Sequence, residues 1–272
     1  MQSEQLAETN DILPRALSDE GILRLTLNDE KRRNALSLDM LGRLREALDE
    51  AAADASVRVI VLAATGPAFC SGHDLKEMTR ARQAEDRGRA FFAETMTNCS
   101  GVMQAIVNNP KPVIAEVNGV ATAAGCQLVA SCDLAYASPA ARLATPGVNI
   151  GLFCSTPMVA LSRNVENKFA MEMLLTGDMV EAEHAAQIGL VNRVVAEEDL
   201  TEYTTSIARK VAAKSSMTLE TGKKAFYRQR EMPLADAYEY TSNIMVDNML
   251  KHDAEEGINA FLEKRAPQWS DQ

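Results

Sequence analysis

The sequence predicts an α/β domain followed by an all-helical C-terminal region, on three observations. Apolar runs of strand character alternate with segments of helical spacing, this strand, helix, strand order recurs, and the strand signal ends near Leu200. At 272 residues the chain suits one sizeable domain carrying a helical appendix better than two independent domains. The organisation read from it is a core over residues 1–200 and a helical region over 201–272.

Residues Gly21 to Leu27 alternate and are rich in β-formers, which predicts a half-buried strand. From Ser37 to Ala53 the residues Leu38, Leu41, Leu44, Ala47 and Leu48 recur at helical spacing, with Ser37 as N-cap. Val57 to Ala63 (VRVIVLA) is an apolar run but for Arg58, as a strand buried on both faces requires. The pattern returns as a helix over Ala90–Ile106, a strand over Val113–Val117 beyond Pro110 and Pro112, a short helix over Cys126–Ser131 and a strand over Leu134–Ala137. Ser155 or Thr156 is expected to cap a helix with Pro157 in its first turn. Amphipathic patterns then run to Lys264, broken at Met232-Pro233.

The net charge of −10 argues against a nucleic-acid partner, whose phosphates demand clustered Lys and Arg. No apolar run is long enough to cross a bilayer. The N-terminus, MQSEQLAETNDILPR, is polar and acidic, unlike a secretory signal or a transit peptide, and suggests a cytoplasmic location. Five cysteines without paired spacing suggest neither a disulfide framework nor a zinc site, so no metal and no cofactor are expected. Only three histidines, His73, His184 and His252, are available to act as bases.

Two segments break the regular pattern directly after buried strands. The first runs from Thr65 to Leu75 and the second from Asn118 to Gln127; their glycines and small residues permit sharp turns and close approach of a ligand to backbone N–H groups. Two such loops could aim donors at one oxygen. Taken alone, plain tight connections look the same.

The wording of these loops is more specific. GPAFCSGHDL and VNGVATAAGCQLVASCDLAYAS, with LNDEKRRNALS, ATPGVNIGL, EMLLTGDMVEAEHAAQIGLVNRVV and EEGINAFLEKRAP in order along the chain, resemble the crotonase (enoyl-CoA hydratase/isomerase) family. The resemblance implies a spiral of repeated β/β/α units with a C-terminal helical trimerisation region, giving a homotrimer or a dimer of trimers. It implies acyl-CoA as substrate or ligand and an oxyanion hole made by the backbone N–H groups of His73 and Ala124. The family's CoA-contacting positions fall at Lys31, Arg33 and Ala35, at Ser71, Asp74 and Leu75, and at Phe261 and Lys264, the last two reaching an adjacent subunit's site.

Two departures stand out. Family hydratases carry two glutamates that handle the protons of the added water, and here those positions are Gln127 and Gly147. Gln127 cannot exchange a proton near neutral pH and Gly147 has no side chain, so efficient hydration is not expected, and restoring both carboxylates should raise it. Loss of carbon dioxide from a malonyl-type thioester, which makes the enolate without a base, and non-catalytic acyl-CoA binding are the alternatives. Ser71, His73 and Asp74 lie too close in sequence for a hydrolase triad, and no His is placed to activate Cys154. Acyl-chain specificity is expected to depend on the helices between Thr79 and Phe92.

Overall fold

A computed structural model describes residues 11–272. Its strands and helices are β1 (Arg15–Leu17), β2 (Ile22–Leu27), α1 (Leu38–Ala53), β3 (Val59–Ala64), β4 (Ala68–Cys70), α2 (Leu75–Ala81), α3 (Arg89–Val107), β5 (Val113–Val117), β6 (Val120–Thr122), α4 (Ala124–Ser131), β7 (Leu134–Ala137), β8 (Arg142–Ala144), α5 (Pro157–Leu161), α6 (Asn167–Thr176), β9 (Val180–Glu181), α7 (Ala182–Gln187), β10 (Arg193–Val194), α8 (Leu200–Ala212), α9 (Ser216–Gln229), α10 (Leu234–Met249) and α11 (His252–Glu263). They form two sheets, one of six strands in the order β1-β2-β3-β5-β7-β10 and one of four in the order β4-β6-β8-β9.

From β2 to β10 the larger sheet is parallel, and only the edge strand β1 runs antiparallel. Its central strand explains the continuous apolar run. Successive side chains of a strand face opposite ways, and Ile60 and Leu62 enter one core with α1 and α3 while Val59 and Val61 enter a second core under α8. Both faces of β3 are therefore covered by helices, the arrangement a parallel sheet needs. On the α8 side the buried Glu116 carboxylate accepts two bonds from Arg24 at 2.9 Å and one from Thr201 Oγ1 at 3.0 Å, which satisfies the charge inside the core.

The predicted strands at Val113–Val117 and Leu134–Ala137 form with those bounds, and Ser37 caps α1 by accepting the N–H of Met40. The structure differs in three places. The six short strands β1, β4, β6, β8, β9 and β10 occupy stretches read as loops or left unassigned; two or three residues are too few to show a period, and backbone pairing alone defines them. Helix α4 starts at Ala124 rather than Cys126. Pro157 opens α5 as expected, but Thr156 already has helical dihedrals and makes no capping bond, and the helix is only five residues long.

Candidate functional site

The small sheet positions the two loops. Parallel pairing of β4 with β6, Ala68 with Val120 and Cys70 with Ala121, brings the segments that follow them side by side. Gly72 then turns with φ +89°, a conformation glycine adopts without strain. A Cβ built there would lie 3.0 Å from Ala123 Cβ and 3.4 Å from the Ala124 nitrogen, so the turn abuts the start of α4. Approach is closer still at Gly125, where an added Cβ would lie 2.1 Å from the carbonyl oxygen of Cys70.

The directions of the two N–H groups follow from the peptide geometry. The Leu36 N–H donates to the Gly72 carbonyl at 2.8 Å, and in the same trans peptide the His73 N–H points the opposite way. Ala123 holds φ +51° and ψ −116°, a sharp entry into α4 fixed by its own N–H donating to Ala144 at 2.9 Å. Ala124 is thus the first residue of the helix, where no intrahelical acceptor exists. Among the described residues, the N–H groups of His73 and Ala124 have no acceptor.

The His73 imidazole is held by Nδ1, 3.4 Å from the Leu36 carbonyl oxygen, and its buried Nε2 has no partner. Burial lowers its pKa and outweighs the Leu36 contact, so the ring is neutral at pH 7. Gln127 lies one turn along α4, buried, with Oε1 3.9 Å from the thiol of Cys99. Gly147 sits in a 3-10 turn over Pro146–Ile150, and a Cβ there would come within 2.9 Å of both Cys154 Sγ and the Leu152 carbonyl oxygen. No side chain fits at 147 without moving residues 152–154. This corrects the expectation that two restored carboxylates would act together, since only position 127 can accept one in place. Burial raises the Cys154 thiol pKa, which leaves it unactivated.

Residues of the first motif reach the same region. Lys31 lies in a 3-10 turn over Glu30–Arg32, Arg33 follows with φ +53°, both are exposed, and Ala35 is buried. The Arg33 carbonyl accepts the Ser71 N–H at 3.1 Å, which joins this motif to the Gly72 turn. Asp74 caps α2, accepting the N–H groups of Lys76 at 2.8 Å and Glu77 at 3.3 Å, and lies 3.5 Å from Arg32; Leu75 beside it is exposed. Phe261 and Lys264 are not gathered with these residues. They stand exposed on α11 and at its C-cap, Phe261 at 82%.

A cavity of about 650 Å³ escaped the sequence reading. It lies between α3, α4, α5 and α9, with Val107, Gln127, Ser131, Asn164 and Tyr227 in its wall, rather than beside the helices of residues 79–92. At its edge Lys223 donates to Asp133 at 2.7 Å and to the carbonyls of Ile106 and Lys111 at 3.0 Å, while the Tyr227 hydroxyl donates to Asp133 at 2.9 Å. A lone Lys in an amphipathic helix carries no signal of such a node. Among the described residues no group of three or more His, Cys, Asp or Glu side chains is arranged for a metal ion, and no helix is long and apolar enough to cross a membrane.

A spiral of β and α segments with two juxtaposed loops defines a crotonase fold, and the comparisons agree. The sequence profile described as enoyl-CoA hydratase/isomerase matches residues 18–272, and the chain belongs to that family. It is 51% identical over 251 residues to the human protein named enoyl-CoA hydratase domain-containing protein 3, mitochondrial, covering 92% of this chain and 81% of that one. The rat protein of the same name is 49% identical over 263 residues, covering 97% and 86%. A crystal structure of an enoyl-CoA hydratase from Mycobacterium smegmatis superposes with a TM-score of 0.91 at 49% identity, covering 95% of this chain and 99% of that one.

The relatives' names overturn the cytoplasmic expectation, since the human and rat proteins are both named mitochondrial. That expectation rested on what the N-terminal composition lacks, and residues 1–10 of that segment lie outside the described residues.

Proposed function

We propose that the chain binds an acyl-CoA thioester and stabilises its enolate, with the N–H groups of His73 and Ala124 donating to the thioester oxygen. The observation that carries this reading is the placement of two acceptor-free N–H groups on abutting loops, one pointing away from Leu36 and one opening a helix. Preorganised donors of this kind act where negative charge develops, each worth about 3 kcal/mol. The CoA moiety would lie along Lys31, Arg33, Ala35, Ser71, Asp74 and Leu75. Phe261 and Lys264 of an adjacent copy would complete the site in a homotrimer or dimer of trimers, with residues 1–200 carrying the site and 201–272 the assembly. The reading needs no cofactor and no metal.

With Gln127 and Gly147 in place of the family's glutamates, the wild-type protein should hydrate crotonyl-CoA poorly, well under about 10² per second, and Gln127→Glu alone should raise the rate. A malonyl-type decarboxylation is the second reading, favoured by the space at Gly147 being too small for a carboxylate side chain. The direct test is Ala124→Pro. Proline is tolerated at a first helical position but lacks the N–H, so turnover with whichever thioester is processed should fall by roughly 10²- to 10³-fold with the melting profile retained. Unchanged turnover in a folded variant would remove Ala124 from the site.

A further inference from the structure

The cavity between α3, α4, α5 and α9 continues from the proposed donors along one helix face. Ala124, Gln127 and Ser131 stand at positions i, i+3 and i+7 of α4, which places them on the same side of the helix. Gln127 and Ser131 belong to the wall of the cavity, whose volume is about 650 Å³. The hollow therefore follows the face of α4 that opens with Ala124, and Gln127 stands at the junction. The helix rise from Ala124 to Ser131 is about 10 Å. A chain leaving a thioester at Ala124 along this face enters the cavity, and only one longer than a few carbons reaches its far side.

The walls of the cavity differ. Towards α3, α4 and α5, Met103, Val107, Ala130, Val159 and Ala160 present apolar surface. Towards α9 the wall is polar and charged: Glu220, Lys223, Lys224, Tyr227 and Arg228 recur at helical spacing, with Arg230 at the C-cap. A surface helix ordinarily turns its apolar face inward. In α9 only Ala225 is buried and Phe226 is exposed.

The sign of the charge is also unexpected. The chain carries 38 acidic against 28 basic residues, yet basic residues outnumber acidic ones around the cavity. Two of them are neutralised within the fold, Lys223 by Asp133 at 2.7 Å and Arg163 by Glu231 at 3.5 Å. Lys224, Arg228 and Arg230 pair with no carboxylate among the described residues, and Glu220 alone opposes them in the wall. Arg228 lies over the Tyr240 ring at 4.5 Å and Arg230 over the Phe226 ring at 5.6 Å, contacts that hold both guanidinium groups without neutralising them. Arg230 also donates to the Arg163 carbonyl.

We infer that the cavity takes the far end of an acyl chain that terminates in a carboxylate, and that Lys224, Arg228 and Arg230 select it. The inference rests on the acyl-CoA reading above and names its substrate class, an ω-carboxyacyl thioester of medium length. The apolar walls cover the methylenes. The carboxylate stops at the edge of the cavity, where the three cations reach solvent. A methyl end would leave these cations without a counter-charge and set apolar surface against them.

The probes are dodecanedioyl-CoA and dodecanoyl-CoA, with butyryl-CoA as a chain too short to reach the cations; Kd is measured by calorimetry. Both long esters carry the same CoA moiety, so its phosphates cancel from the comparison. Wild-type protein should prefer dodecanedioyl-CoA by about tenfold or more, as hydrogen bonds to a charged group provide. The preference should shrink as ionic strength rises from about 0.05 to 0.5 M. Replacing the cations together, Lys224→Gln with Arg228→Gln and Arg230→Gln, should bring the ratio of the two affinities to about one or below. Ala160→Phe, which fills the apolar wall, should weaken both long esters by about tenfold relative to butyryl-CoA with the melting profile retained. Equal wild-type affinity for the two long esters, or a preference that survives the triple substitution, overturns the inference and leaves acyl-CoA binding intact; so does a folded Ala160→Phe variant that binds the long esters as before. If none of the three esters binds, the acyl-CoA reading itself falls and the inference falls with it.

Discussion

Helices α4 and α10 show two ways of using apolar residues. All eight residues of α4 are buried, enclosed by β4, β6, α3 and α5 of the same chain. Of the sixteen residues of α10 only Ala237 is buried, and Tyr238, Met245, Val246 and Met249 are exposed, as is Leu250 at its C-cap, at 80%. Helix α11 repeats this with Ile258, Phe261 and Leu262 exposed. Helix α4 is therefore enclosed by its own chain, whereas α10 and α11 carry apolar area their own chain does not cover, as do α5 and α6 with Met158, Val159, Phe169, Met171 and Leu175. Exposed apolar patches of this extent mark interaction surfaces, which supports the proposed assembly of copies through the C-terminal helices.

The sharpest way to break the comparison is to add one methyl group to each region. In the core, Gly125→Ala places a Cβ 2.1 Å from the Cys70 carbonyl oxygen and 2.7 Å from its carbon, both backbone atoms that cannot swing aside. A loss of about 4 kcal/mol or more, or no soluble protein, is expected. In α9, Gly222→Ala meets nothing within 4 Å and should stabilise by about 0.5–1 kcal/mol through helix propensity. Chemical denaturation checks both, and similar midpoints would refute the claim that α4 is packed to contact.

That difference was only partly legible in the sequence. The strands β5 and β7 were readable to the residue because an apolar run buried on both faces has no other interpretation in a β/α context. Ser37 and the break before Leu234 were readable because caps and prolines act locally. The small sheet was not, since three-residue strands leave no period, and it is that sheet which sets the donor loops side by side. Ala124 and His73 were visible as donors through resemblance alone, because a backbone N–H has no side-chain signature. The crowding at Gly147 comes from Leu152 and Cys154, which an irregular turn folds back against it, and such a turn has no periodic pattern to announce it.

A second, smaller effect is expected on the tail side. Leu250→Asp with Phe261→Asp places charges on the uncovered face, where neither residue contributes to the chain's own core. The melting of the isolated fold should change little, while self-association weakens by about 100-fold or more, as loss of two anchor residues implies. Light scattering at micromolar concentration measures this. A wild-type protein that is already monomeric would refute the assembly and with it the role proposed for Phe261 and Lys264 in a neighbour's site.

The smallest expected effect lies where the two regions are tied together. Asp253, buried at the start of α11, accepts the Ser270 N–H at 2.8 Å, the Ser270 hydroxyl at 3.0 Å and the Asp271 N–H at 3.0 Å. Asp271 pairs with Arg58 at 3.2 Å, and Trp269 Nε1 donates to the Ala213 carbonyl at 2.9 Å, so the last residues strap α11 to the α8–α9 junction. Burial alone would raise the Asp253 pKa, but the bonds from Ser215, Ser270 and Asp271 outweigh it and hold it at about 2, below the ordinary 3.8. A depressed pKa stabilises the fold above the unfolded value and loses that contribution as pH falls, here between about 4 and 2. Asp253→Asn keeps the shape but weakens the acceptor, and should lower Tm by about 2 to 6 °C at pH 7. The gap between variant and wild type should close as pH drops through that window, because the wild-type carboxylate is then protonated as well. A gap that persists unchanged at pH 2 would mean that the carboxylate's charge does not hold the strap.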